Sequence, residues 1–164
     1  MQRSSTLFAT AAVLVLATQS AFAQTPAPTF EKKNYNYSEW TKGRFSEVVT
    51  VTGPGKMIFL AGIGAEDENG EAGLVLHKGD FLAQCLYAYD KIKRVLAKNG
   101  ATVNDIVKMV TYVTDIRYLP DYGKCRTEVY GEKGTFPAHT FLSINQLAWP
   151  GMMLEIDVTA MVPK

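Results

Sequence analysis

One amphipathic helix followed by a β-branched run sets the frame of this chain. From Asp80 to Asn99 the apolar residues Phe81, Leu82, Cys85, Leu86, Tyr89, Ile92, Val95 and Leu96 recur with the helical period. Lys91, Lys93, Arg94 and Lys98 take the other face and the last turn, where cations suit the helix dipole. Gly100 fits the left-handed position just past the end. A helix with one apolar side must lie on something apolar. Ile106 to Thr114, rich in β-branched residues, reads as the strand that follows.

The rest of the chain supplies more strands and one more helix. Val48, Val49 and Val51, the turn Gly53-Pro54-Gly55-Lys56 and the run Met57 to Ala61 read as a hairpin. Ile63 to Lys78 is a glycine-rich acidic loop, expected to be a solvated tip. Pro120 is placed to open a second helix that runs to about Tyr130. Ala138 to Asn145 and Met152 to Met161 alternate as two closing strands, joined through Leu147-Ala148-Trp149-Pro150-Gly151. The order strand, strand, helix, strand, helix, strand, strand implies an α+β layer with both helices on one sheet face. The other face is too apolar to stay wet, so self-association is expected. No internal repeat and no second domain is found.

Met1 to Ala23 has the make-up of a secretory leader. Arg3 is followed by a mostly apolar run from Leu7 to Thr18, and Ala21-Phe22-Ala23 gives an A-x-A site. The run falls short of the ~20 apolar residues that span a bilayer, and Gln19-Ser20 interrupts it. A periplasmic or otherwise secreted protein, with no membrane attachment after cleavage, is expected. Residues 24–43 read as a flexible mature N-terminus, with structure beginning near Phe45 in a domain of residues 44–164. The whole chain carries 17 basic and 16 acidic residues, and Arg3 is the one charge in the leader. The remainder is balanced, which gives no footprint for nucleic acid or an anionic membrane. A small molecule, or copies of the same chain, is the expected partner. An oxidising compartment permits a disulfide between Cys85 and Cys125, the only cysteines. Packing on the helix face already explains Cys85, however, and a bridge is not the favoured expectation. His77 and His139 have no metal-ligand spacing with either cysteine, and neither metal nor cofactor is expected.

A longer pattern runs through these elements: Gly79-Asp80, Gln84, Ile92, Leu96, Gly100, Asp105-Ile106-Val107-Lys108 and Tyr112-Val113-Thr114-Asp115, then Phe136-Pro137-Ala138-His139 and Leu154-Glu155-Ile156-Asp157. From about Arg44 to Val162 the chain resembles the reactive-intermediate deaminase family (RidA, or YjgF-type). The resemblance implies a YjgF/chorismate-mutase-like fold, in a homotrimer whose sheets wrap a central β-barrel with ligand clefts between subunits. Family members are most familiar for hydrolysing reactive 2-imino acids to 2-keto acids and ammonia. An arginine in their F-P-A-R motif grips the substrate carboxylate, a glutamate on the last strand positions water, and an S-G-Q turn orients the imine.

Carried onto this chain, the resemblance makes Glu155 the water-positioning acid and Gly62 the turn glycine, flanked by Ala61 and Ile63 instead of serine and glutamine. Phe45 stands where many members have a tyrosine, and His139 replaces the arginine. The family includes branches that lack the arginine and show no imino-acid deaminase activity. Arginine offers a permanent charge and a planar fork of donors, whereas neutral imidazole offers one donor and one acceptor. Losing such an anchor costs about 2–5 kcal/mol, or roughly thirty-fold to several thousand-fold in handling a 2-imino acid.

The candidate catalytic residues are therefore Glu155 and His139, with Phe45, Gly62, Ile63, Tyr112 and Trp149 as substrate-binding candidates. In one reading Glu155 favours a protonated His139, which makes a weaker, pH-dependent anion hold. In another, the substrate lacks a carboxylate and His139 donates a proton to the leaving group. In a third, His139 is a hydrogen-bonded strand residue and Glu155 a solvated or interface carboxylate. Gln84 and Lys108 are expected to stabilise the fold. Cys125, beside Lys124 and Arg126, is weighed as a thiol nucleophile and set aside, because adjacent helical residues point to different faces. A Rid-type hydrolase acting on an imine or enamine other than a simple 2-imino acid is the leading expectation. A non-catalytic trimeric module that binds a small metabolite is the alternative.

Overall fold

A computed structural model describes residues 28–164. The expected leader, Met1 to Ala23, lies outside the described residues. Among the described residues no helix is long and apolar enough to cross a membrane.

The central sheet has four strands: β3 (Gly55–Gly64), β4 (Ile106–Val113), β5 (Ala138–Ser143) and β6 (Leu154–Pro163). Their order across the sheet is β3-β6-β4-β5, with β4 and β5 parallel and the other pairs antiparallel. Helices α1 (Phe81–Lys98) and α2 (Leu119–Tyr130) pack on one face. The alternation is clean. Leu154, Ile156, Val158 and Ala160 of β6 and Met109, Thr111 and Val113 of β4 are buried toward the helices. Glu155, Asp157, Lys108, Val110 and Tyr112 take the other face, because successive strand residues point to opposite sides. That face is open and partly apolar, with Phe59 71% and Met57 52% exposed. The α+β layer expected from the order of elements is the fold observed.

Helix α1 starts where Asp80 accepts a 3.0 Å hydrogen bond from the Ala83 amide, and it ends before Gly100 at φ +76°. Its buried stripe differs from the expected one at several places. Val95 is exposed, while Lys91 is buried and pairs with Glu66 at 2.9 Å. Gln84 is also buried and clamps the approach to β6, donating to the Gly151 carbonyl (2.8 Å) and accepting from the Met153 amide (2.9 Å). Its expected stabilising role is met by these bonds. Lys108, expected to act likewise, donates to Thr140 Oγ1 at 2.7 Å and so ties β4 to β5.

Three expectations are corrected. Order begins before Phe45: β1 (Glu31–Tyr35) pairs antiparallel with β2 (Val48–Thr52), and a short 3-10 turn covers Glu39–Thr41. The polar run Glu-Lys-Lys-Asn-Tyr carries no hydrophobic signal, and backbone pairing with β2 holds it. Accordingly β2 and β3 do not form a hairpin. The Gly53–Gly55 turn instead passes the chain from the two-stranded sheet to the four-stranded one. Finally, Cys85 and Cys125 are both fully buried and joined as a disulfide, with Cα atoms 6.2 Å apart. It fastens α1 to α2, and with both sulfurs bonded no thiol nucleophile remains at Cys125.

Candidate functional site

The candidate residues fall into two groups at opposite edges of the four-stranded sheet. At the β5 edge, Asn34 of β1 donates to Ser46 Oγ (3.0 Å) and to the Phe136 carbonyl (2.9 Å). The Ser46 amide donates to the Pro137 carbonyl (3.0 Å), and its hydroxyl to the Phe136 carbonyl (2.5 Å). These bonds fix Arg44 and Phe45 beside the start of β5. A cavity of about 430 Å³ opens there, lined by Phe45 and His139 together with Trp40, Arg44, Arg126 and Phe141. Its size suits a small-molecule ligand.

His139 lies on the helix-facing side of β5. Its Nε2 sits 3.0 Å from Thr111 Oγ1 and 3.4 Å from the Tyr122 hydroxyl, which in turn lies 3.0 Å from the Tyr89 hydroxyl. Burial lowers the imidazole pKa to about 3, helped by the charges of Arg126 and Lys108. The ring is therefore neutral at any physiological pH. A protonated His139 gripping an anion does not fit this environment. The neutral ring is a hydrogen-bonded wall of the cavity.

The positive charge of this cavity comes from elsewhere. Arg126, one helical turn after Tyr122 on α2, lines it with its guanidinium carbon 4.6 Å from the Phe136 ring centroid. Its Nη1 donates to the Arg44 carbonyl, while Nε is buried and meets no partner. An unmet buried donor costs about 1–3 kcal/mol. Burial pulls the Arg126 pKa below its ordinary value, and the Arg44 cation lowers it further, while the phenols of Tyr122, Tyr89 and Tyr130 around it are neutral. Among the described residues no carboxylate pairs with Arg126 or Arg44. Sequence reasoning missed both arginines as site residues. The signal was the i, i+4 spacing of Tyr122 and Arg126, which puts them on one side of α2.

At the other edge, the β3–β6 register shifts between Leu60 and Ile63, and Gly62 sits in this irregularity. A Cβ at Gly62 would stand 1.9 Å from Glu155 Oε1, so the absent side chain is what lets the carboxylate lie against the turn. Burial raises the Glu155 pKa, and the nearby charges of Glu66 and Asp157 raise it further. Tyr112 is the cross-strand neighbour of Glu155, and its hydroxyl donates to Asp157 Oδ2 at 3.2 Å. Asp157 is also the main reason the Tyr112 pKa is raised. Gly62, Ile63 and Trp149 line a second cavity of about 390 Å³, whose charged wall is Glu66, Asp67, Glu68 and Glu71 with Lys91. No cluster able to hold a metal ion is found among the described residues.

Within one chain, then, Phe45 and His139 come together at the β5 edge, Gly62, Ile63 and Trp149 line the cavity at the β3 edge, and Glu155 and its neighbour Tyr112 lie on the open face of the inner strands, with Glu155 against Gly62. His139 and Glu155 point to opposite faces of the sheet. One group is cationic and aromatic, the other acidic.

An α+β layer with small-molecule cavities at both sheet edges defines the class. The chain belongs to the RidA/YjgF family: residues 37–162 match the family profile described as endoribonuclease L-PSP. A RutC family protein of Pyrococcus abyssi is 29% identical over 119 residues, covering 72% of this chain and 86% of its own length. The structure of a Rid-family protein from Yersinia pestis, YyfB, described as of unknown function, superposes with TM-score 0.67 at 29% identity. That match covers 80% of this chain and 98% of the Yersinia chain. RidA from a Psychrobacter species shares the fold, with TM-score 0.57 at 22% identity over 74% of this chain and 90% of its own.

Proposed function

We propose that the protein is an exported, homotrimeric Rid-type hydrolase that deaminates an imine or enamine metabolite, other than the simplest 2-imino acids, in clefts between subunits. Family membership supports the reaction class. A closed, buried Cys85–Cys125 disulfide supports export to an oxidising compartment. A head-to-tail cyclic contact is supported by the placement of the groups: the β5 edge of one protomer, with Arg44 and Arg126, meets the acidic β3 edge of the next. Each contact then completes one cleft. The exposed Met57 and Phe59 become covered in the same assembly.

The observation that carries this reading is Glu155 seated on the side-chain-free turn at Gly62, with its basicity raised by burial and by like charges. A carboxylate of raised pKa accepts a proton more readily from a water attacking the imine carbon. Glu155 takes one water proton as the C–O bond forms and passes it to nitrogen as the C=N π bond opens to a carbinolamine; it then takes the hydroxyl proton as the carbonyl forms and delivers it to nitrogen as the remaining C–N bond breaks. Imine and water become carbonyl compound and ammonia, with nothing else consumed. His139 stays neutral throughout and shapes the cleft.

The rival reading, a binding module without catalysis, is favoured by Phe45, Ala61 and Ile63, which offer no polar side chain where the resemblance would have them. One experiment separates the two. Imino acids, from 2-iminopropanoate to 2-imino-3-phenylpropanoate, are generated with an amino acid oxidase, and keto acid release is followed. The hydrolase reading expects wild type to accelerate release and Glu155→Ala to lose roughly 10²-fold or more. Release at the spontaneous rate with wild type and His139→Arg, on every imine, leaves the binding module.

A further inference from the structure

The cation at the β5-edge cavity sits on α2, away from the strand position where the family resemblance would have it. We propose that Arg126 is the anion-holding residue of this cleft, and that its ligand is a small carboxylate bearing an aromatic or bulky apolar group. This rests on the cleft being the ligand site, as proposed above.

Three observations converge. Arg126 lines the cavity as a half-buried cation that no carboxylate neutralises among the described residues, although the two described arginines outside this cavity are paired: Arg94 with Asp90 and Glu68, and Arg117 with Asp115. Its fork is already held, with Nη1 tied to the Arg44 carbonyl and the guanidinium carbon 4.6 Å from the Phe136 ring centroid. Nε is sealed inside without a partner, and Nη2 makes no hydrogen bond to the described residues, so the capacity left for a ligand lies at the outer end of the fork. A guanidinium held this way loses little entropy on meeting a carboxylate and has the geometry for two parallel bonds.

The rest of the wall describes what the carboxylate is attached to. Trp40 stands edge-on to Phe45 with centroids 5.5 Å apart, and Tyr122 lies 4.9 Å from Phe141 across the floor. Trp40 is largely exposed, as a residue awaiting a partner would be. The neutral His139 ring, 5.3 Å from Tyr122, extends this aromatic lining where a guanidinium would have placed charge. With a neutral ring at position 139, this wall of the cavity is largely aromatic. The charge comes from Arg126 on α2 in the same cavity, so a ligand can set its carboxylate there and its apolar group against this lining. Aromatic 2-imino acids and their 2-keto acid products have that form.

Binding tests this independently of turnover. Phenylpyruvate, pyruvate and phenylpyruvate methyl ester are titrated into the intact protein, with calorimetry and tryptophan fluorescence as readouts. Phenylpyruvate is expected to bind at least tenfold more tightly than either pyruvate or the ester. Arg126→Gln is expected to remove the preference for the acid over the ester, with Arg126→Lys recovering part of it. Thermal unfolding of each variant separates lost binding from lost folding. An ester that binds as well as the acid, or an Arg126→Gln protein that still discriminates, overturns the proposal. Acid binding through Arg126 without imine hydrolysis would sink the hydrolase reading alone. Imine hydrolysis unaffected by Arg126→Gln would sink this one alone.

Discussion

A part-buried imidazole and a part-buried carboxylate titrate in opposite senses, and both shifts are open to measurement. The pKa of His139 falls to about 3 in the fold, against 6.5 when free. Between those values the unfolded chain holds the extra proton and the folded one does not. Stability from this residue is therefore complete above pH 6.5 and is lost as pH falls toward 3. His139→Gln, which keeps a donor and an acceptor, is expected to flatten this acid limb in urea unfolding by about 2–3 kcal/mol at pH 4. Imidazole nitrogen shifts that show a protonated ring at pH 5.5 would refute the assignment. For Glu155 the folded pKa is raised, so stability falls as pH rises through the titration and stays lower above it. Glu155→Gln is expected to raise the thermal midpoint by about 1–3 °C at pH 7, because the group is only partly buried, and to give no gain near pH 3.5. A midpoint that drops at neutral pH would mean Glu155 stabilises the protomer and is not a strained functional acid.

At the scale of elements, the disulfide between α1 and α2 is the strongest single constraint. It closes a loop of 40 residues, for which chain entropy suggests about 4 kcal/mol. Reduction, or Cys125→Ala, is expected to lower the thermal midpoint by roughly 10–15 °C for a domain of this size. It should also loosen the floor beneath Arg126, one residue along α2 from Cys125. An unchanged midpoint after reduction, with both thiols then titratable, would show that the bridge contributes nothing. The elements that were legible in the sequence are those whose burial is written as a period: α1, whose stripe meets the sheet, and β4 and β6, whose alternation separates helix side from open side. β1 was illegible because Glu31 to Tyr35 is held by backbone pairing, and polar side chains carry no trace of that. The hairpin assigned to β2 and β3 failed for a related reason, since a glycine-proline turn marks a change of direction and not which strand the chain pairs with next. Of the site, Glu155 and Gly62 came from the family resemblance, and the fold seats one against the other across two paired strands. Arg126 was not legible: on a helix beside Lys124, a charge looks solvated until the fold shows it lying on Phe136 without a carboxylate.

For the whole molecule, the arrangement of the two groups makes a quantitative demand on assembly. If a cleft takes its cationic, aromatic half from one protomer's β5 edge and its acidic half from the next protomer's β3 edge, two differently crippled chains can repair each other. Arg126→Gln damages the first half only, and Glu155→Gln the second only. Each variant alone is expected to be inactive on the imine that wild type hydrolyses. Mixed in equal amounts through a cycle of denaturation and refolding, they form cyclic trimers of random composition. A cleft is intact when an Arg126→Gln chain gives its acidic half and a Glu155→Gln chain gives its cationic half, which occurs at about one contact in four. Recovery of about a quarter of wild-type activity, at a mass of three chains by light scattering, is therefore expected. Were all the machinery within one protomer, no mixture could contain an undamaged copy, and activity would stay at the level of the single variants. A wild-type protein that runs as a monomer at micromolar concentration would end the shared-cleft reading outright. The exposed Met57 and Phe59 would then need another explanation.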